Sequence, residues 1–436
     1  VPIRLLRAMV SRASRHGVLR HATVVMSGSL FAQAVGLVVA PLLTRLYAPT
    51  DYGAFGVFVS ITAILVPIST WALETAIVLP KAAARGAHVL LAALAAVVAT
   101  SGLIVVAIVV GGPSVVAALR LEELTPFLPL LPVYVLIGGT NLALGFWLVR
   151  TQRFGRISST KIAQSVGTVA TQLGLGLAAA LPGGLILGSL AGQVAAVLAA
   201  VVAIPARERG AAARLAVRAR WGWVYRGYGD FPRLKVPQRL LAASSDALVM
   251  VGLSVAFSPA HAGFFALMRR VLSLPAELIG ESVRKALVPR VAETARSSPV
   301  ELGRLMTRSS TALLAMALLP AAALVAAGPW MFGLVFGAPW ETAGAYARII
   351  VIMVAVRFAA VPYLTGVPLL RLNRIHLRAD AFRFAATAVT FAVAAYRDDV
   401  ILALIGFAAA GIVSDAIAVI AVRRRLAVMV SALRRG

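Results

Sequence analysis

The chain alternates long apolar runs with short polar connections, and the runs are too long for the core of a soluble protein. About 20 residues rising 1.5 Å each cross the hydrocarbon core of a bilayer, so an apolar run of that length predicts a transmembrane helix. Twelve such runs are present, at 22–43, 53–79, 88–110, 126–149, 158–180, 184–204, 237–257, 261–283, 305–327, 341–364, 377–396 and 400–422. The connections between them fall alternately on two sides, and the basic residues are divided very unevenly. One side carries 33 Lys and Arg, and the other only Arg45, Arg120 and Arg397. Positive charge marks the cytoplasmic side, which predicts an even number of spans and both termini in the cytoplasm. Ala32-Gln33-Ala34 after a basic start imitates a signal-peptide cleavage site. Because the apolar run continues from Val35 to Leu43, the first run is expected to remain as a span.

The longest cytoplasmic connection divides the spans six and six. The expected organisation is a basic amphipathic segment (1–21), an N-terminal lobe (22–204), an interfacial linker (205–235), a C-terminal lobe (236–422) and a basic tail (423–436). In the first segment Arg4, Arg7, Arg12 and Arg15 share one helical face, opposite Ile3, Leu6, Met9 and Val10. That pattern suits a helix lying on anionic lipid at the cytoplasmic face. The linker mixes Trp221, Trp223, Tyr225, Tyr228 and Phe231 with arginines. Beside a membrane this composition reads as an interfacial belt, and no nucleic-acid partner is expected.

An internal echo links the halves. Tyr47-Ala48-Pro49-Thr50-Asp51-Tyr52-Gly53-Ala54-Phe55 follows the first span, and Phe257-Ser258-Pro259-Ala260-His261-Ala262-Gly263-Phe264-Phe265 follows the seventh. Each succeeding span ends alike, Val78-Leu79-Pro80-Lys81 against Leu287-Val288-Pro289-Arg290. Proline stops one helix and glycine lets the next pack closely. Both turns lie on the outer side, so the repeats are parallel, and paired lobes of this kind are a transporter architecture.

Composition agrees: hydrophobic residues make up 60% of the chain and charged residues 13%, and the mean hydropathy is +0.91. The net charge of +26 is accounted for by topology. With no cysteine, disulfides, thiolate catalysis and Cys-ligated metals are excluded. The five histidines are scattered, with no carboxylate at ligand spacing, so neither metal nor cofactor is expected. The outer connections are short, with acids only at Asp51, Glu122, Glu123, Glu341, Asp398 and Asp399. A membrane-embedded glycan polymerase or ligase would want catalytic groups on a long external loop, so an enzyme is the weaker reading.

The spans themselves carry charges that a lipid-facing helix would not. Arg239, Arg269, Arg270, Arg348, Arg357 and Arg383 all lie in the second half, whereas the only charge more than a turn inside the first-half runs is Glu74. Arg239 and Arg383 sit close enough to the cytoplasmic boundary to snorkel. Arg269, Arg270, Arg348 and Arg357 lie deeper, and each centred arginine costs roughly 2.5–3.5 kcal/mol on insertion scales. A hydrated cavity removes that cost, and guanidinium forks suit an anionic cargo. Arg269, Arg270, Arg348, Arg357 and Arg239 are therefore the candidate cavity cations, with pairing to acids on neighbouring helices as the other role open to them. Asp246, Asp415 and Glu277 are the candidates for ion coupling, or else the partners of those arginines.

Several stretches resemble a known family. Ser27-Gly28-Ser29, Leu43 to Gly53, Glu74 to Lys81 and Tyr228-Gly229-Asp230-Phe231-Pro232 are similar to O-antigen and polysaccharide flippases. These belong to the multidrug/oligosaccharidyl-lipid/polysaccharide flippase superfamily. The resemblance implies an all-α integral membrane protein with two six-helix lobes around a central cavity that opens alternately to either side. It also implies a cargo, undecaprenyl-diphosphate-linked oligosaccharide moved to the outer leaflet of a bacterial plasma membrane, and other polysaccharide assembly proteins as partners. Where relatives often carry Asn after Leu240-Leu241 this chain has Ala242, so any cargo contact made by that Asn is missing. An ion-coupled antiporter of small molecules is the alternative within the superfamily. A cationic drug would want a carboxylate-rich cavity.

Overall fold

The structure is a computed structural model, and it describes residues 28–118, 121–178, 183–210, 221–229, 232–233, 236–370 and 372–433. The predicted amphipathic segment 1–21 lies outside these residues, as do positions 211–220 of the linker and 434–436 of the tail. The described residues form twelve long helices, one for each predicted run. The first six are α1 (Gly28–Leu46), α2 (Pro49–Ser69), α3 (Ala83–Ala118), α4 (Leu130–Arg150), α5 (Phe154–Leu177) and α6 (Gly184–Ala203). A short helix, Trp221–Tyr228, precedes the second six. These are α7 (Val236–Ala256), α8 (Pro259–Ser297), α9 (Pro299–Phe336), α10 (Glu341–Leu369), α11 (Asn373–Arg397) and α12 (Val400–Leu433).

Among the described residues, eight of the helices are long and apolar enough by themselves to cross a membrane. The other four are α5, α7, α8 and α11, and in α5, α8 and α11 polar and charged side chains lower the hydropathy. A helix of that kind is stable in lipid when neighbours shelter its polar face.

The largest departures from the predicted runs are at the ends. The second run is not one helix to 79. α2 ends at Ser69, Trp71 (φ 53°) and Ala72 (φ 58°) turn left-handed, and a 3₁₀ turn follows at Leu73–Ala76. The basic connection expected at 284–304 is helical instead. α8 and α9 run on as a hairpin, with Ser298 alone between them and its side chain accepting from Glu301 N at 3.3 Å. Leu287, Val291, Leu302 and Met306 bury this extension against Tyr363, Val367, Val422 and Leu426 of α10 and α12. A hydrophobic face continuing past the membrane, absent from a solvated loop, holds these turns helical.

The helices gather into two compact units. One takes α1, α2 from Ile61, α3 to α6 and the chain as far as Leu240; the other takes Tyr47–Ser60 and the chain from Leu241. Within the second unit the sequence echo becomes a reciprocal crossing. Pro49 opens α2 and Pro259 opens α8, each at a first-turn position where the missing N–H would have no partner anyway. Gly53 faces the carbonyl of Pro259, and Gly263 faces the carbonyl of Pro49. A Cβ at either glycine would overlap the facing oxygen, so the two backbones touch only because both residues lack one. Aromatic side chains close around the crossing. Tyr52 meets Trp340 edge-on at 4.8 Å between centroids, and His261 Nδ1 lies 2.6 Å from Tyr346 Oη.

Candidate functional site

Of the candidate cations, Arg239 belongs to the first unit and is engaged there. Its Nη2 pairs with Glu74 Oε1 at 2.6 Å, and its Nη1 donates to the carbonyl of Pro67 at 3.0 Å. The Thr70 hydroxyl donates to the other oxygen of Glu74, whose side chain is 0% exposed. The broken end of α2 explains the arrangement. Where the helix stops, its last carbonyls lose their partners, and an arginine there satisfies both a carbonyl and the helix dipole. This fork ties the first turn of α7 to the end of α2.

Arg348 also has a local task. α9 carries Pro329 and kinks at Ala327 (φ −125°, ψ 16°). Arg348 Nη2 donates to the carbonyl of Ala326 at 2.9 Å. Gly328 and Gly344 bring the α9 and α10 backbones into contact beside it. We expect Arg348→Ala to lower stability by about 1 kcal/mol, the modest value for a partly solvated charged hydrogen bond, read as a small drop in Tm in detergent.

The remaining candidates lie in the second unit. Arg269 and Arg270 are half-buried on α8, and Arg270 lies within electrostatic reach of Tyr52. Arg357 is exposed on α10. It lies about 24 Å from the start of that helix and about 18 Å from its end at 1.5 Å per residue. Asp415 on α12 is 5% exposed, and Arg357 and Arg383 are the first two cations within its electrostatic reach. Asp246 and Glu277 sit on α7 and α8, but their side chains lie outside the described residues.

By its depth along the sequence, Arg383 is expected at the cytoplasmic boundary. The structure places its guanidinium 5.4 Å from the ring centre of Phe407, inside the packing of α11 on α12. The helical spacing of Ala379, Arg383 and Thr387 was the available signal, because Ala379 and Thr387 are both buried. The first unit carries a different chemistry. Asn141 donates to Gln193 at 3.0 Å, and Gln193 donates to the Tyr134 hydroxyl at 3.3 Å, joining α4 to α6 with neutral groups. Among the described residues no three His, Asp or Glu side chains converge as metal ligands. Among the described residues, the guanidinium groups of Arg357 on α10 and Arg383 on α11 lie within electrostatic reach of the Asp415 carboxylate, a chemistry that suits reversible binding of an oxyanion.

A family model described as polysaccharide biosynthesis protein matches residues 42–345. Among solved structures, an inward-facing multidrug resistance MATE family transporter of the MOP superfamily aligns with a TM-score of 0.69 at 13% identity, covering 93% of this chain and 96% of its own. The lipid II flippase MurJ, in an inward closed conformation, aligns with a TM-score of 0.66 at 8% identity, covering 92% of this chain and 88% of its own. A MOP superfamily transporter from Pyrococcus furiosus aligns at 0.53 with 12% identity, covering 93% and 95%. No curated protein matches the sequence. At such identities the likeness is one of fold: an all-helical, multi-pass membrane protein built like the MOP-superfamily transporters.

Proposed function

Because this chain belongs to the polysaccharide biosynthesis protein family, we propose that it is a flippase for a lipid-linked oligosaccharide. In this reading it carries an undecaprenyl-diphosphate-linked glycan from the cytoplasmic to the outer leaflet of a bacterial plasma membrane by alternating access. Both termini lie in the cytoplasm, where the basic connections meet anionic lipid. Other polysaccharide assembly proteins supply the cargo and take it over.

The single observation that supports this cargo most is Arg357, exposed at mid-helix on α10. A guanidinium held in water at that depth suits the diphosphate, the one part of such a cargo that is strongly charged. The polyprenyl chain of such a cargo stays in lipid.

Depletion of the protein in its own host is the test. The proposal expects lipid-linked glycan to accumulate on the cytoplasmic leaflet, while its synthesis continues. Unchanged leaflet distribution on depletion would exclude it.

A further inference from the structure

The charges around Asp415 are placed by helix register. Gly411 of α12 packs on Met353 of α10. Both helices run in the same direction, so one further turn along each brings Arg357 to the level of Asp415, within its electrostatic reach. α11 runs the opposite way. Its Thr390 packs on Gly406, so Arg383 is carried back toward the level of Asp415. α8 meets α12 through Phe265 and Phe407, whose ring centres are 6.0 Å apart. One turn beyond Phe265 is Arg269. Further along α11, His376 does have a carboxylate one turn away, contrary to the expectation that the histidines lack one, and pairs loosely with Asp380 at 3.8 Å. On α12 itself, Arg423 is occupied two turns away, donating to the Tyr363 hydroxyl at 3.2 Å. α9 has no ionisable residue between Arg308 and Glu341.

Asp415 is the buried acid of this cationic centre, and it is not fully used. Its Oδ2 has no hydrogen-bond partner, although the residue is 5% exposed. Thr387 Oγ1 is likewise buried without a partner. A carboxylate placed to complete a structural ion pair would have both oxygens satisfied, as Glu74 has.

We propose that Asp415 is an internal competitor for the cargo's diphosphate, acting through Arg357. With no anion bound, the carboxylate is the counter-charge of Arg357 and Arg383. An arriving diphosphate takes Arg357 and is repelled by the same carboxylate. Without that competition, bare guanidinium forks would hold a diphosphate too tightly to let it leave. Asp415 is in this sense a positioning residue that sets affinity, and the inference rests on the diphosphate-linked cargo proposed above. The sign of the pH effect follows. Protonating Asp415 removes the competitor, so the anion binds more tightly as pH falls and is released as pH rises.

The experiment uses the full chain in nanodiscs, with farnesyl diphosphate as the probe, and measures binding across pH. The wild type is expected to bind more tightly as pH falls. Asp415→Asn is expected to bind about tenfold more tightly at neutral pH, and to lose the tightening at low pH, keeping only the opposite slope that protonation of the probe's own terminal phosphate imposes. Arg357→Gln, a change at an exposed site that keeps Asp415 in place, is expected to bind weakly and to lose most of the pH dependence. In transport, Asp415→Asn should lower both KM and kcat. Equal affinity and equal pH slope in the wild type and Asp415→Asn would overturn the inference and leave the cargo reading standing. So would a pH slope unchanged in Arg357→Gln. No binding of the probe by the wild type at any pH would overturn both.

Discussion

Arg239→Ala is expected to destabilise the protein by about 3–5 kcal/mol, the loss typical when one partner of a buried pair is removed. The carboxylate left behind explains the size of the effect. Glu74 is 0% exposed, and its two oxygens are met by Arg239 and Thr70. Without the arginine, a buried charge keeps one hydroxyl donor, and the Pro67 carbonyl loses the donor now 3.0 Å away. Arg239→Lys should fall between, because an ammonium cannot reproduce a fork that reaches a carboxylate and a carbonyl together. Removing both charges, as Arg239→Ala with Glu74→Ala, should recover part of the loss. Thermal unfolding in detergent reads all of these. A double variant no more stable than Arg239→Ala would show that the unpaired carboxylate is not the cause.

The second large effect is expected at the crossing of α2 and α8. Gly53→Ala and Gly263→Ala should each cost about 1–3 kcal/mol, the range for overpacking a close contact. The added methyl group would meet a proline carbonyl, and backbone yields less readily than the end of a side chain. The two sites share one contact, so the double variant should lose less than the sum of the singles. Gly102→Ala in α3 and Gly145→Ala in α4 are the controls. Neither methyl would touch anything within 4 Å, and both changes should raise helix stability by about 0.5–1 kcal/mol. Equal effects at all four glycines would mean that the crossing bears no strain.

This crossing also shows what was legible in the sequence. Proline and glycine recur at matching offsets after the first and seventh spans, and the same four residues make the reciprocal contact. Periodicity placed the helices well, because the bilayer fixes their length. The helix ends were less legible. A left-handed pair at Trp71 and Ala72 has no glycine to announce it. The hairpin of α8 and α9 is held helical by packing on α10 and α12 that no local pattern records.

The candidate site was legible as a set of residues but not as a set of roles. Six intramembrane arginines stand out by cost alone. Their tasks depend on partners far away in the chain, such as Glu74 for Arg239 and the Ala326 carbonyl for Arg348. Arg383 looked peripheral by depth. Its placement beside Phe407 and near Asp415 comes from the antiparallel register of α11 and α12.

The central claim is that arginines of the second unit handle the diphosphate of a lipid-linked glycan. Purified protein in proteoliposomes, loaded with undecaprenyl-diphosphate-linked oligosaccharide, tests it directly. Transfer between leaflets is followed by access of a membrane-impermeant oxidant to the sugar. Transfer by the wild type is expected, with loss of most of that rate in a folded variant lacking the charges of Arg269, Arg270 and Arg357. Transfer at the wild-type rate by that triple variant would contradict it.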